Sequence, residues 1–194
     1  MIDKKAFAAM RKDFEDFDSL REELIKVSRQ ILKLSKAAIY DVHRGKVSSG
    51  ESGLKSARAL IADAEKIVCR DVCLSSVGAY GEGLEEFAEA SCYLSFIKEG
   101  KLMTAKELGV DAHIYLPSLC DLVGELVRKA INSCIAGDFK TALKIKDFVA
   151  EIYAELMMFD FPNSPVRRKF DAVKYGLEKL ENLVLDLKLK EKLK

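Results

Sequence analysis

The sequence predicts an all-α protein, a bundle of about six long helices forming one domain over residues 1–194. Three observations carry that reading. The 194 residues include only 11 glycines and three prolines, whereas an all-β sandwich or barrel must turn every ~8–12 residues. Apolar residues recur at i, i+3, i+4 and i+7 over long stretches, the period of an amphipathic helix rather than a strand. Hydrophobic residues make up 49% of the chain, enough to give each helix a buried face.

The first helix follows from Phe7, Met10, Phe14, Phe17, Leu20, Leu24, Val27, Ile31 and Leu34, with nothing helix-breaking between residues 7 and 42 before Gly45. Such a helix of some 40 residues is ~60 Å long, against a radius of gyration of ~16 Å for a compact chain of this length. It must overhang, or be covered by another copy. A second helix is expected over about 53–74, a third over 80–98 and a fourth over 117–135, the last opened by Pro117 in its first turn. Gly100 and Gly109 bracket a linker whose residues 104–108 make about one helical turn. Gly124, inside the fourth helix, is expected to let a neighbouring helix approach closely. Residues 136–138 close that helix, a fifth fills 139–159, and Pro165 starts a sixth that runs to the Lys-rich end. Its stripe of Phe170, Val173, Leu177, Leu180, Val184 and Leu187, spaced alternately by three and four, suits packing within or between chains. Taken together, overhang and stripe predict a homo-oligomer.

The opening residues alternate charged and apolar positions, unlike a signal peptide, and no run approaches the ~18 apolar residues of a membrane span. The expectation is a soluble, cytoplasmic protein with no membrane partner. Five cysteines, Cys69, Cys73, Cys92, Cys120 and Cys134, sit in helical patterns. With only His43 and His113 as companions they are expected to be reduced, small buried hydrophobes rather than zinc ligands. Lys plus Arg number 32 against 31 Asp plus Glu, a net charge of +1. This excludes a uniformly basic nucleic-acid coat and a strongly acidic solvating chain. Any partner chosen by charge must meet a local patch.

Two such patches exist. Between Leu24 and Tyr40 there is no acidic residue, while Lys26, Arg29, Lys33 and Lys36 fall within about 80° on a helical wheel, and Tyr40 and His43 continue the stripe. That spacing by itself suits a solvated lysine face first, and also a surface that neutralises a phosphodiester backbone with stacking on Tyr40. From Asp71 to Ile97 the bias reverses: there is no Lys or Arg, yet Asp71, Glu82, Glu85, Glu86 and Glu89 are present. Glu82, Glu86 and Glu89 share a side of the third helix with Tyr93, Phe96 and Ile97, while Ser91, Ser95 and Lys98 lie opposite. Carboxylates on an apolar stripe call for a compensating cation or a raised pKa.

On the fourth helix, Asp121, Glu125, Arg128 and Asn132 share one face. If the two helices pack with these faces together, Glu86, Glu89, Asp121 and Glu125 form a polar pocket. An all-carboxylate set prefers Mg²⁺ or Mn²⁺ to iron or zinc and suits phosphoryl transfer or phosphodiester hydrolysis by a metal-activated water. Internal ion pairing of Glu86 and Glu89 is the competing account. No Gly-rich phosphate loop and no G-x-S-x-G elbow is present, and two histidines nominate no triad.

Four segments in order, KVSRQILKLSKAAIYDVHRGK (26–46), GLEEFAEASCYLSFIKEGKL (83–102), DLVGELVRKAINSCIAGD (121–138) and VRRKFDAVKYGLEKLENLVLDLKL (166–189), resemble the translin family, specifically its nuclease branch of TRAX-type proteins. The resemblance implies long packed helices whose copies form a barrel-like oligomer, commonly of eight subunits, enclosing RNA. It implies a Mg²⁺-dependent endoribonuclease acting on single-stranded or nicked RNA, with duplex RNA and single-stranded DNA as further ligands. Two glutamates and an aspartate of that branch hold the metal; here they are Glu86, Glu89 and Asp121, with Glu125 as a fourth catalytic candidate. Arg29, Lys33, Lys36, His43 and Arg44 would line the RNA-facing interior. A translin-type binder without catalysis is the alternative, followed by an all-α nucleoside triphosphate pyrophosphatase, whose second acidic pair is spaced by three where Asp121 and Glu125 are spaced by four. The loop over 100–113 is shorter than in larger TRAX proteins, which work with translin, and leaves open assembly from one kind of chain.

Overall fold

The computed structural model describes residues 2–190, and every regular element among them is helical. The chain divides into two compact units, Met1–Phe87 and Ala88–Lys194.

The first unit begins with α1, Lys4–His43, one unbroken helix of 40 residues whose N-cap, Asp3, accepts hydrogen bonds from the amides of Lys5 and Ala6. Its buried stripe runs Leu24, Ser28, Ile31, Ser35, Ala38, Ile39 and Val42. The two buried serines donate to the carbonyls of Leu24 and Ile31 at 2.7 and 2.9 Å, so no hydroxyl is left unsatisfied. Helix α2, Val47–Val68, packs along this stripe. It begins six residues before the expected Gly53, in a segment rich in serine and glycine. The reason is tertiary: a Cβ at Gly50 would sit 2.7 Å from Cγ2 of Val42 and 3.1 Å from the Ala38 carbonyl oxygen, so glycine here permits close approach rather than a turn. The helix stops at Val68, and a separate 3₁₀ turn, Val72–Ser76, follows behind an Asp71 cap. Cys69 and Cys73 flank that break and are exposed, which corrects the expectation that they are buried. N-terminal to Phe17 every described residue of α1 is exposed. Helix α3, Gly78–Glu99, starts in this unit and continues into the next.

The second unit adds α4, Ala105–Leu108; α5, Ala112–Ile135; α6, Phe139–Leu156; and α7, Pro165–Leu189. The single turn α4 carries a full capping box between Thr104 and Glu107. Its hydrogen bonds to Thr104 hold the Glu107 carboxyl below the usual carboxylate range. Helix α5 starts five residues before Pro117, behind an Asp111 cap, so Pro117 lies inside the helix rather than in its first turn. Pro165 does occupy the first turn of α7. Helices α5, α6 and α7 pack on one another, and the α7 stripe is spent there: Phe170, Val173, Leu180, Val184 and Leu187 are buried, with Leu177 half-buried. The close helix contact falls at Gly176 of α7, where a Cβ would lie 2.9 Å from Cγ1 of Val123. Gly124 faces open space instead, contrary to expectation. Ser91, expected on a polar face of α3, is buried. All five cysteines are free thiols; burial pushes that of Cys92 up to about 12.

Candidate carboxylate groove and basic face

In the first unit, Lys26, Arg29, Lys33, Lys36, Tyr40 and Arg44 of α1 are exposed and His43 is half-buried. The Arg44 guanidinium donates to the Tyr40 hydroxyl at 2.9 Å and lies 5.3 Å from the centroid of its ring, which pre-orients one aromatic within the cationic row. Glu86 stands beside the same row. Gly83, one turn earlier on α3, brings that helix against α1: a Cβ there would meet the Ser28 carbonyl oxygen at 3.1 Å. Glu86 is thereby placed with its Oε2 3.6 Å from Nζ of Lys36, its side chain 17% exposed. The counter-charge that the local sequence lacks is supplied by the basic helix.

The second unit holds the other carboxylates. Glu89, Asp121 and Glu125 line one open groove of ≈ 690 Å³ together with Arg168, Lys169 and Lys179 of α7. Glu89 is buried at 8% exposure. Nζ of Lys169 donates to Oδ2 of Asp121 at 2.7 Å, and Arg128 stands 3.7 Å from Glu125 one turn along α5. Gly124 contributes to the wall, and a Cβ there would meet nothing within 4 Å. Beneath them Tyr93 is wholly enclosed; burial, then the negative charge of Glu125, raises its hydroxyl above the ordinary range.

Three carboxylates beside three cations can do two things chemically. Carboxylate oxygens suit a hard divalent cation, and the cations of α7 suit a phosphate. Yet among the described residues no three His, Cys, Asp or Glu side chains form a ready cluster for a metal ion, and Lys169 already neutralises Asp121. His113, at the start of α5, is exposed and lines none of this groove. Sequence reasoning missed the α7 contribution. The only signal was two lysines, Lys169 and Lys179, on one stripe with Ala172 and Gly176 between them at helical spacing.

Residues 19–191 match the Translin family. Translin of Gallus gallus is 33% identical over 42% of this chain and 35% of its own length, so the matched stretch spans about a third of that relative. Translin-associated protein X of Rattus norvegicus is 25% identical over 95% of this chain and 78% of its own length. The solved complex of AfC3PO with duplex RNA superposes with a TM-score of 0.85 at 30% identity, covering 95% of this chain and 97% of that one.

Proposed function

The chain belongs to the Translin family, and from that premise we propose that it binds RNA as an oligomer of its own copies and cleaves it with Mg²⁺. The observation that carries the reading is the single groove holding Glu89, Asp121 and Glu125 opposite Arg168, Lys169 and Lys179, in a fold like that of a protein solved with duplex RNA. The exposed row of Lys26, Arg29, Lys33 and Lys36 holds the backbone by neutralising phosphates and releasing counterions. Tyr40, steadied by Arg44, offers a ring face to an unpaired base, and His43 extends the row.

Glu89 and Asp121 would hold the metal; Glu86, which the family likeness also nominates, lies one turn earlier on α3 and meets Lys36. When bound, Mg²⁺ (or Mn²⁺) supplies a nucleophilic water at neutral pH and charge for the phosphate oxygens. Glu89 is kept in place by its own enclosure. Asp121 must release or share Lys169, whose ammonium then meets the phosphate alongside Arg168 and Lys179, where negative charge gathers during cleavage. Glu125, at the groove wall, would take the proton that the attacking water gives up. The same family likeness supports, as part of this proposal, eight copies acting on single-stranded or nicked RNA, with single-stranded DNA as a further ligand. No described helix is long and apolar enough to cross a membrane.

A second reading, an RNA-binding oligomer without catalysis, draws on the Lys169–Asp121 pair, which neutralises the acidic groove internally. One experiment separates the two. Labelled RNA incubated with Mg²⁺ should be cut, EDTA should stop the cutting, and Glu89→Gln should abolish it with the particle mass unchanged by light scattering. Undiminished cleavage by Glu89→Gln would remove Glu89 from the site. Steeply salt-dependent binding with no cleavage by the unaltered chain would establish the second reading.

A further inference from the structure

Two apolar surfaces serve neither the carboxylate groove nor the basic face, one convex and one concave. The convex one is the N-terminal end of α1. The stripe that buries Leu24, Ser28 and Ile31 runs back through Phe17, Phe14, Met10 and Phe7 at alternating spacings of three and four, and Phe14 is 73% exposed, Met10 53% and Phe7 49%. Over residues 2–14 this end carries Lys4, Lys5, Arg11 and Lys12 against Asp3 and Asp13, a net charge of +2. The concave surface is a groove of ≈ 640 Å³ between α5 and α6, with Leu116, Leu119, Phe148, Ile152 and Phe159 in its lining. Its charged lining residues are Glu151 and Glu155, and Met157 and Met158 lie exposed just beyond. Apolar patches of this kind mark contact surfaces. The ridge from Phe7 to Phe14 is about 10 Å long and the stretch of α6 from Phe148 to Leu156 about 12 Å, so the two match in length as well as in opposite charge.

We propose that the N-terminal end of α1 of one copy docks into the α5–α6 groove of a second copy, its cations flanking Glu151 and Glu155. This inference rests on the assembly reading above and adds the surfaces that make it. Ridge and groove are different surfaces, so the contact runs head to tail. Each copy then gives one ridge and receives one, and only a closed ring covers every such surface. The carboxylate groove is left open by this contact, because it shares no lining residue with the α5–α6 groove.

The test uses the full chain and light scattering coupled to size exclusion, with circular dichroism to confirm that each variant keeps its helices. Reversing the ridge (Lys4→Glu, Lys5→Glu, Arg11→Glu and Lys12→Glu together) should drop the particle to smaller species. Reversing the groove (Glu151→Lys with Glu155→Lys) should do the same, and the chain carrying both reversals should regain the mass of the original. Regain is the result a merely destabilised protein would not give. If the ridge reversal dissociates the particle and the groove reversal does not, the ridge pairs with something else, such as the same ridge of another copy, and the proposal is overturned. A particle indifferent to both reversals overturns this contact while leaving assembly standing. An unaltered chain that runs as a monomer overturns the assembly reading itself.

Discussion

On α1, Lys26, Arg29 and Lys33 stand exposed along one face of one helix, and Lys36 at the end of the row meets Glu86 at 3.6 Å. On α7, Lys169 is only 32% exposed and rests 2.7 Å from Asp121 of another helix. Residues of the same type thus do different work. Charges in a row act on a polymer additively, each releasing a counterion. A cation held by one acid acts through competition, because whatever else seeks Asp121 must displace it.

The largest effect that could break this contrast comes from the row. Replacing Lys26, Arg29, Lys33 and Lys36 together by alanine should weaken RNA binding by about 100-fold or more near physiological salt. It should also flatten the dependence of log K on log salt by about 3, at ~0.7–0.9 per lost phosphate contact, measured by filter binding across several sequences. An unchanged slope would mean that the row is only a solvated face. A smaller effect sharpens the α7 side: Lys169→Ala should lower the Mg²⁺ concentration for half-maximal cleavage by roughly 3- to 10-fold, since an ammonium within ion-pair distance disfavours a second cation on the same carboxylate, while RNA affinity falls by no more than the loss of one phosphate contact. If the requirement rises instead, Lys169 positions Asp121 rather than competing for it. The smallest effect concerns what holds α7 against α5. Gly176→Ala should cost about 1 kcal/mol or more in urea unfolding, because the new Cβ meets Val123 at 2.9 Å. Gly124→Ala, with nothing within 4 Å, should gain about 0.5–1 kcal/mol from helix propensity.

Much of this was legible in the chain because it depends on periodicity. The length of α1, the buried stripe of α7, the capped turn at Thr104 and the Pro165 start are properties of residues near one another in sequence. The acid-free and base-free stretches were legible for the same reason. What escaped depends on contacts across the fold. Lys169 lies 48 positions from Asp121, and no spacing rule joins them. Gly50 and Gly124 are the same residue type, yet Gly50 is pressed against Val42 while Gly124 faces open space, so composition could not say which one admits a neighbour. Cys69 and Cys73 sit at helical spacing, but the helix ends before them and both are left exposed. The apolar period of α1 likewise showed that the helix wants cover along its whole length, without showing that among the described residues full burial of its stripe begins only at Leu24.

Pro117 has a consequence of its own for how α5 moves. Its ring nitrogen carries no hydrogen, so the His113 carbonyl receives no bond from four residues on, while the Tyr115 carbonyl accepts the Ser118 hydroxyl at 2.7 Å. The turn before the proline is held by the Asp111 carbonyl, which accepts from the Tyr115 amide at 2.9 Å, by the Asp111 carboxylate, 3.1 Å from the Ile114 amide, and by the Tyr115 hydroxyl, which donates to the Met103 carbonyl at 2.6 Å. The first turn of α5 is therefore tied to the rest of the helix by one backbone hydrogen bond fewer. Amide hydrogens of residues 112–116 should exchange with solvent deuterium well before those of the stretch that carries Asp121 and Glu125, so the end of α5 beside the apolar groove can breathe while the carboxylates keep their register.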